Sequence, residues 1–265
     1  INMKKRTNRL DEFKAHFDHL FKYQIIEGVD VDSIEYKEQY EYWLHNNDVA
    51  SKITFYNFDW KLYTNKYLDL KKIHSRQLAW WHWKTAGLKE GRSCTSVDIV
   101  NKGQWGCLKS HINALKDAIY NQYKRILILE DDCRILKSIN LDNIRPWIQT
   151  GLKVLYLGAA QDDWTNINIQ GIPGNKWYIA NETRGSFAYI VDGSFFQTLL
   201  EHFEQMQKPS DKYLMELQKQ YDFPVIYPNI IICNLLRTLV KHCNFFSSFN
   251  TNLFKLFVPV CFLID

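Results

Sequence analysis

The clearest signal along this chain is a change of pattern at residues 125–132, Arg-Ile-Leu-Ile-Leu-Glu-Asp-Asp. An unbroken apolar run of four predicts a strand buried on both faces, as in a parallel sheet. Upstream, Leu108, Ile112, Leu115 and Ile119 recur at helical spacing and predict an amphipathic helix over Gln104–Asn121. Leu10, Phe13, Phe17 and Leu20 do the same for a first helix, with Thr7 or Asn8 as its cap. Ile1–Met3 reads as the end of a strand, Tyr23–Glu27 as a second strand turned by Gly28, and residues 34–47 as a helix. Past the acids, Lys153–Leu157, Ser186–Val191 and Pro224–Tyr227 read as strands, and Phe195–Gln207 and Asp211–Gln220 as helices. Strands alternating with helices predict an α/β fold with a mostly parallel sheet flanked by helices.

Two stretches break this rhythm. Residues 57–93 crowd Trp60, Tyr63, Tyr67, Trp80, Trp81 and Trp83 into short helical patterns that close on Gly87 and Gly91. They predict a compact helical insert. Its tryptophans suit either a local core or a sugar-stacking platform, and the rarity of large exposed apolar side chains favours the core. Residues 233–265 are rich in Phe, Asn and Ser and lose the alternation, so the regular domain is expected to span 1–232, followed by an irregular tail.

Composition narrows the options. The 265 residues can bury a large core, and 46% hydrophobic with 23% charged is ordinary for a globular protein. The net charge of +4 comes without a block of like charges, so nucleic acid is not an expected partner. The six cysteines show no Cys-x-x-Cys pair, which argues against a disulfide framework and favours a reducing, cytoplasmic compartment. Cys107 and Cys133 flank the acidic run and read as inert buried thiols. The apolar segment Leu253–Ile264 is too short to span a bilayer.

Three adjacent carboxylates at a strand end carry the candidate chemistry. Ligands of open α/β sheets bind at the carboxyl ends of strands. Close acids repel by up to about 4 kcal/mol per pair at an effective dielectric near 20. A hard divalent cation with oxygen ligands relieves that repulsion; the plainer reading is a charged, solvated turn.

Separated motifs then fall in one order. Ile1-Asn2-Met3-Lys4-Lys5-Arg6-Thr7-Asn8-Arg9 resembles the I-N-L-x-x-R-x-x-R opening of glycosyltransferase family 25. Glu27–Asp30 resembles its A-x-D-G turn, Gly106–His111 its G-C-x-x-S-H motif, and Leu129–Asp132 its L-E-D-D. Gly185–Ile190 is similar to its G-x-x-A-Y strand and Pro209-Ser210-Asp211 to its P-x-D. The family contains lipopolysaccharide sugar transferases and collagen hydroxylysine galactosyl- and glucosyltransferases. The insert resembles an accessory repeat found beside glycosyltransferases of large DNA viruses and some bacteria.

The resemblance implies a GT-A-like, Rossmann-related fold, a UDP-sugar donor and Mn²⁺ (or Mg²⁺). It implies hexose transfer, with inversion, to a hydroxyl acceptor, either a glycan or a hydroxylysine-containing protein. On this reading Asp132 binds the metal, Asp131 is a second ligand, and Glu130 orients the ribose or a metal-bound water. Ser110 and His111 become donor-pocket contacts, although a lone His is as readily structural. Arg9, and less so Arg6, suit the diphosphate, since a guanidinium meets phosphate bidentately. Inversion needs a carboxylate to deprotonate the acceptor. Asp211 is the candidate base, with helix capping as its structural alternative. Asp162 and Asp163 stand in reserve, with loop surface as theirs. Two other classes remain: a non-catalytic carbohydrate- or protein-binding descendant, and a metal-dependent phosphate enzyme.

Overall fold

A computed structural model describes residues 3, 5–20, 22–47, 49–136, 144, 151–161, 163–172, 175–233 and 259–263. The sequence expectations for Ile1, Asn2 and Asp162, and for most of the tail, lie outside those residues. The helices are α1 (Thr7–Phe17), α2 (Ile34–Asn46), α3 (Trp60–Lys66), α4 (Arg76–His82), α5 (Lys102–Tyr120), α6 (Phe196–Phe203) and α7 (Ser210–Leu217). The strands are β1 (Tyr23–Gln24), β2 (Arg125–Glu130), β3 (Cys133–Ile135), β4 (Val154–Ala160) and β5 (Gln170–Ile172). They continue with β6 (Asn175–Ile179), β7 (Arg184–Asp192), β8 (Pro224–Tyr227), β9 (Ile231–Cys233) and β10 (Pro259–Leu263).

Eight strands form one sheet in the order β1-β10-β2-β7-β4-β8-β6-β5, and β3 pairs with β9 in a separate two-stranded sheet. The architecture is mixed α/β, but the expectation of a mostly parallel sheet is corrected. Among these pairings only β4 with β8 is parallel. The physical reason lies in β7, which runs between β2 and β4 and opposes both. A strand buried on both faces reads as a continuous apolar run whichever way its neighbours point, so β2 gave no clue to pairing direction. Because β2 and β4 both oppose β7, and β8 parallels β4, those three strands share one direction. Their carboxyl ends, Glu130, Ala160 and Tyr227, therefore meet at one sheet edge, beside the amino end of β7.

Alternation along β2 divides the core. Ile126 and Ile128 face one way, into a cluster with Leu108, Ile112 and Leu115 of α5, Phe203 of α6 and Leu214 of α7. Leu127 and Leu129 face the other way, into a cluster with Phe13 and Phe17 of α1 and Ile231 of β9. Each such side chain contributes about 1.5–3 kcal/mol of burial free energy, which fixes the register of β2 firmly. A one-residue slip would exchange the two sets.

The first helix starts differently from expectation. Arg6 occupies its cap position and Thr7 is the first helical residue, with no side-chain cap bond. The tail also departs from expectation, since residues 259–263 are strand β10, paired with β1 and β2.

The aromatic insert forms its own core. Phe58, Tyr63, Leu70, Ala79 and Trp83 are buried together. Phe58 stacks on Trp83 at 5.5 Å between centroids and meets Trp80 at 5.3 Å. Asp59 caps α3 by accepting from the Leu62 N–H at 2.9 Å, and Ser75 caps α4 through the Leu78 N–H at 3.3 Å. Of the tryptophan cluster, Trp81 stands 65% exposed. Lys66 of α3 ties the insert to the body by donating to the Thr95 carbonyl at 2.8 Å and pairing with Asp98. Asp98 also meets Lys212 of α7 at 3.2 Å.

Candidate functional site

The alternation of β2 continues past its end and separates the three acids. Glu130 follows Ile126 and Ile128 onto the α5 side, where its Oε1 lies 3.8 Å from His111 Nε2. Asp131 follows Leu127 and Leu129 onto the α1 side, where its Oδ1 accepts from Arg9 Nη1 at 2.9 Å. Arg6 approaches its other oxygen at 3.9 Å. Asp132 sits in the turn between β2 and β3. All three are buried, with Asp131 fully inaccessible.

On the α5 side a polar pocket lies inside an otherwise apolar layer. Cys107 and His111 stand one helical turn apart on the same face of α5. His111 Nδ1 pairs with the Tyr189 hydroxyl at 2.9 Å, while its Nε2 is buried without a hydrogen-bond partner. Ser186 of β7 donates to Glu130 Oε1 at 3.3 Å and pairs with the Ser210 hydroxyl at 2.8 Å. Among the described residues, Cys107, His111 and Glu130 are the group of three potential metal-ligand side chains that converges, their ligand atoms all within 4.8 Å of one another. The run Glu130-Asp131-Asp132 does not close into such a group.

Burial dominates the electrostatics. Glu130 is pushed well above the ordinary carboxylate range, first by desolvation and then by the charges of Asp132 and Asp131. Asp132 is raised to about 6 by desolvation and by Asp131, with Arg9 and Arg134 pulling the other way. Asp131 is raised by desolvation even though Arg9 opposes that shift. Burial lowers His111 to about 3, so its imidazole is neutral. Burial also raises the Cys107 thiol well above its usual value.

Two carboxylate oxygens, Asp131 Oδ2 and Asp132 Oδ1, are buried with no hydrogen-bond partner. A buried carboxylate oxygen without a donor carries a full desolvation cost, which a cation removes. Hard oxygen donors of this kind suit Mg²⁺ or Mn²⁺ rather than a softer metal.

The remaining sequence candidates divide. Asp211 lies in the first turn of α7, where Pro209 holds the cap position, so the capping alternative does not describe it. Its carboxylate accepts from the Lys212 N–H at 2.9 Å, burial raises its pKa, and Arg184 and Lys212 oppose that shift. Its neighbour Ser210 pairs with Ser186, which donates to Glu130, and this sets the start of α7 beside the same sheet edge. Ser110, expected as a donor-pocket contact, is fully buried and bonded within the fold. Its hydroxyl donates to the Gly106 carbonyl at 2.7 Å and accepts from the Val29 N–H at 2.9 Å, pinning the 29–31 segment to α5. Asp163 is exposed, its Oδ1 accepting from the Thr165 N–H at 2.7 Å, a turn bond that lowers its pKa. This is a loop-surface role, and the geometry supplies nothing for a base there.

In the sequence Cys107 reads as an inert thiol, and no local pattern there singles out Ser186 or Arg134. The signal for Cys107 was its four-residue spacing from His111 on a predicted helix. Arg134, buried on β3, donates to the Cys133 carbonyl at 2.9 Å and pairs with Glu12 of α1.

No family model matches the chain, and no curated protein matches it.

Proposed function

We propose that this chain is a metal-dependent glycosyltransferase that moves a hexose from a UDP-sugar to a hydroxyl acceptor with inversion. The observation carrying the proposal is the pair of buried oxygens of Asp131 and Asp132 that lack a hydrogen-bond partner, beside Arg6 and Arg9 at the carboxyl edge of the sheet. Support also comes from the shared direction of β2, β4 and β8, which gathers three strand ends where α/β enzymes bind ligands. The ordered motifs across residues 1–232 add the family resemblance.

Asp132 and Oδ2 of Asp131 would hold the divalent ion, Mn²⁺ or Mg²⁺. When bound, such an ion neutralises charge building on the departing diphosphate. Arg9 holds Asp131 in place, and Arg6, at 3.9 Å, keeps a guanidinium at the same edge for a phosphate oxygen. Glu130 turns inward to Ser186 and His111 and so supports the strand end rather than joining the ion. Asp211, raised by burial, accepts the proton of the acceptor hydroxyl as the bond to the anomeric carbon forms.

The test is transfer from a panel of UDP-hexoses, with Mn²⁺, to glycosyl acceptors and to hydroxylysine-containing peptides. The proposal expects one donor to dominate and Asp211→Asn to reduce kcat by about 10²–10⁴-fold with little change in KM for the donor. Donor turnover that survives Asp132→Asn and Asp131→Asn together would overturn it.

A further inference from the structure

The pocket on the α5 side has a chemistry distinct from the hard-oxygen edge. We propose that Cys107, His111 and Glu130 form a zinc site that joins helix α5 to the end of strand β2. The inference goes beyond the transferase reading and uses none of the residues assigned there to the diphosphate ion.

Three observations converge. The three ligand atoms lie within 4.8 Å of one another, and His111 Nε2 and Glu130 Oε1 are 3.8 Å apart. Tetrahedral zinc, with bonds of about 2.0–2.3 Å, sets its ligands about 3.3–3.7 Å apart, so small side-chain movements close the site. His111 Nε2 is a fully buried nitrogen with no hydrogen-bond partner, aimed at Glu130. An apolar layer tolerates such an atom poorly unless something fills its valence.

The supporting contacts are also those a metal site needs. The Tyr189 hydroxyl meets His111 Nδ1 at 2.9 Å, which holds the ring and leaves Nε2 for the ion. Ser186 donates to the same Glu130 oxygen at 3.3 Å, orienting that carboxylate. A sulfur, nitrogen and oxygen set selects Zn²⁺ over Mn²⁺ or Mg²⁺, which prefer oxygen alone. The fourth position falls to water or to Ser210, whose hydroxyl lies 2.8 Å from that of Ser186. Because the pocket is buried, the ion serves to lock two elements of the fold together.

The experiment is titration of the metal-stripped full chain with Co²⁺ and then Zn²⁺, read by absorption without any nucleotide present. The proposal expects one equivalent of Co²⁺ with a thiolate charge-transfer band, displaced stoichiometrically by Zn²⁺. Cys107→Ser and His111→Gln should abolish the band with unchanged circular dichroism, while Cys94→Ser and Asp132→Asn keep it. Should a ligand variant fail to fold, zinc-edge X-ray absorption of the wild type decides, with one sulfur expected around the bound Zn²⁺. Absence of the band in folded wild type, its persistence in Cys107→Ser, or bound Zn²⁺ with no sulfur neighbour overturns the assignment. Retention of the band in Asp132→Asn while UDP binding is lost separates this site from the transferase proposal.

Discussion

Arg9 reaches across 122 positions of sequence to hold Asp131, its Nη1 donating to Oδ1 at 2.9 Å. The acid is fully buried and the guanidinium about a third exposed, so the acid bears most of the desolvation. Arg9→Ala should therefore destabilise the fold by about 1–3 kcal/mol, less than for a fully buried pair because water screens this arginine and Arg6 remains. Urea unfolding checks this, and Arg9→Ala combined with Asp131→Asn should recover part of the loss. Equal stability of Arg9→Ala and wild type would contradict the pairing.

Asp132 sets a pH dependence in the metal-free chain. Its folded pKa of about 6 lies above the ordinary aspartate value, so between about pH 4 and 6 the folded state binds more protons than the unfolded one. Stability contributed by this group is thus present at low pH and falls as pH rises through about 6. Glu130, also raised by burial, acts in the same direction. Asp132→Asn should flatten the slope between pH 4 and 6 in chemical denaturation without added metal. A stability that climbs over that window would show the acids to be better solvated than the structure has them.

Much of this arrangement could be read in advance, and the limits have physical causes. The run Ile126–Leu129 predicted β2, and the spacing of Leu108, Ile112 and Leu115 predicted α5, because burial forces both patterns. Pairing direction left no trace, since β2 is covered on both faces and β7 begins 54 positions after β2 ends. Strands β3 and β9 hold three residues each, too few for a period, and β5 is exposed throughout. The acidic run was legible as a site, but its division was not. That division depends on Glu130 keeping the phase of Ile128 while Asp131 keeps the phase of Leu129. The same phase argument brings Cys107 and His111 to Glu130, a meeting no local pattern announces.

Gly158 of β4 tests how the small β3·β9 sheet packs on the main one. A Cβ there would lie 2.1 Å from the Ile231 carbonyl oxygen and 2.6 Å from the Phe187 ring. The first neighbour is backbone and cannot swing aside. Gly158→Ala should cost about 3 kcal/mol, at the upper end of overpacking penalties. Thermal unfolding measures it, and a neutral result would place Ile231 farther from β4.

The insert supplies a paired control. Trp83 is 1% exposed and stacked on Phe58, so Trp83→Ala should cost about 3–5 kcal/mol. Trp81 is mostly exposed, and Trp81→Ala should change stability by no more than about 0.5 kcal/mol. Equal costs at the two positions, read by denaturant unfolding, would contradict the local core.

The central claim is that Asp131 and Asp132 hold a divalent ion for a nucleotide diphosphate. Calorimetric titration of UDP into the chain with and without Mn²⁺ tests it most directly. One site per chain is expected, requiring Mn²⁺ and lost in Asp132→Asn, with the variant folded as judged by circular dichroism. UDP binding of equal affinity with Mn²⁺ absent, or undiminished in Asp132→Asn, would contradict it.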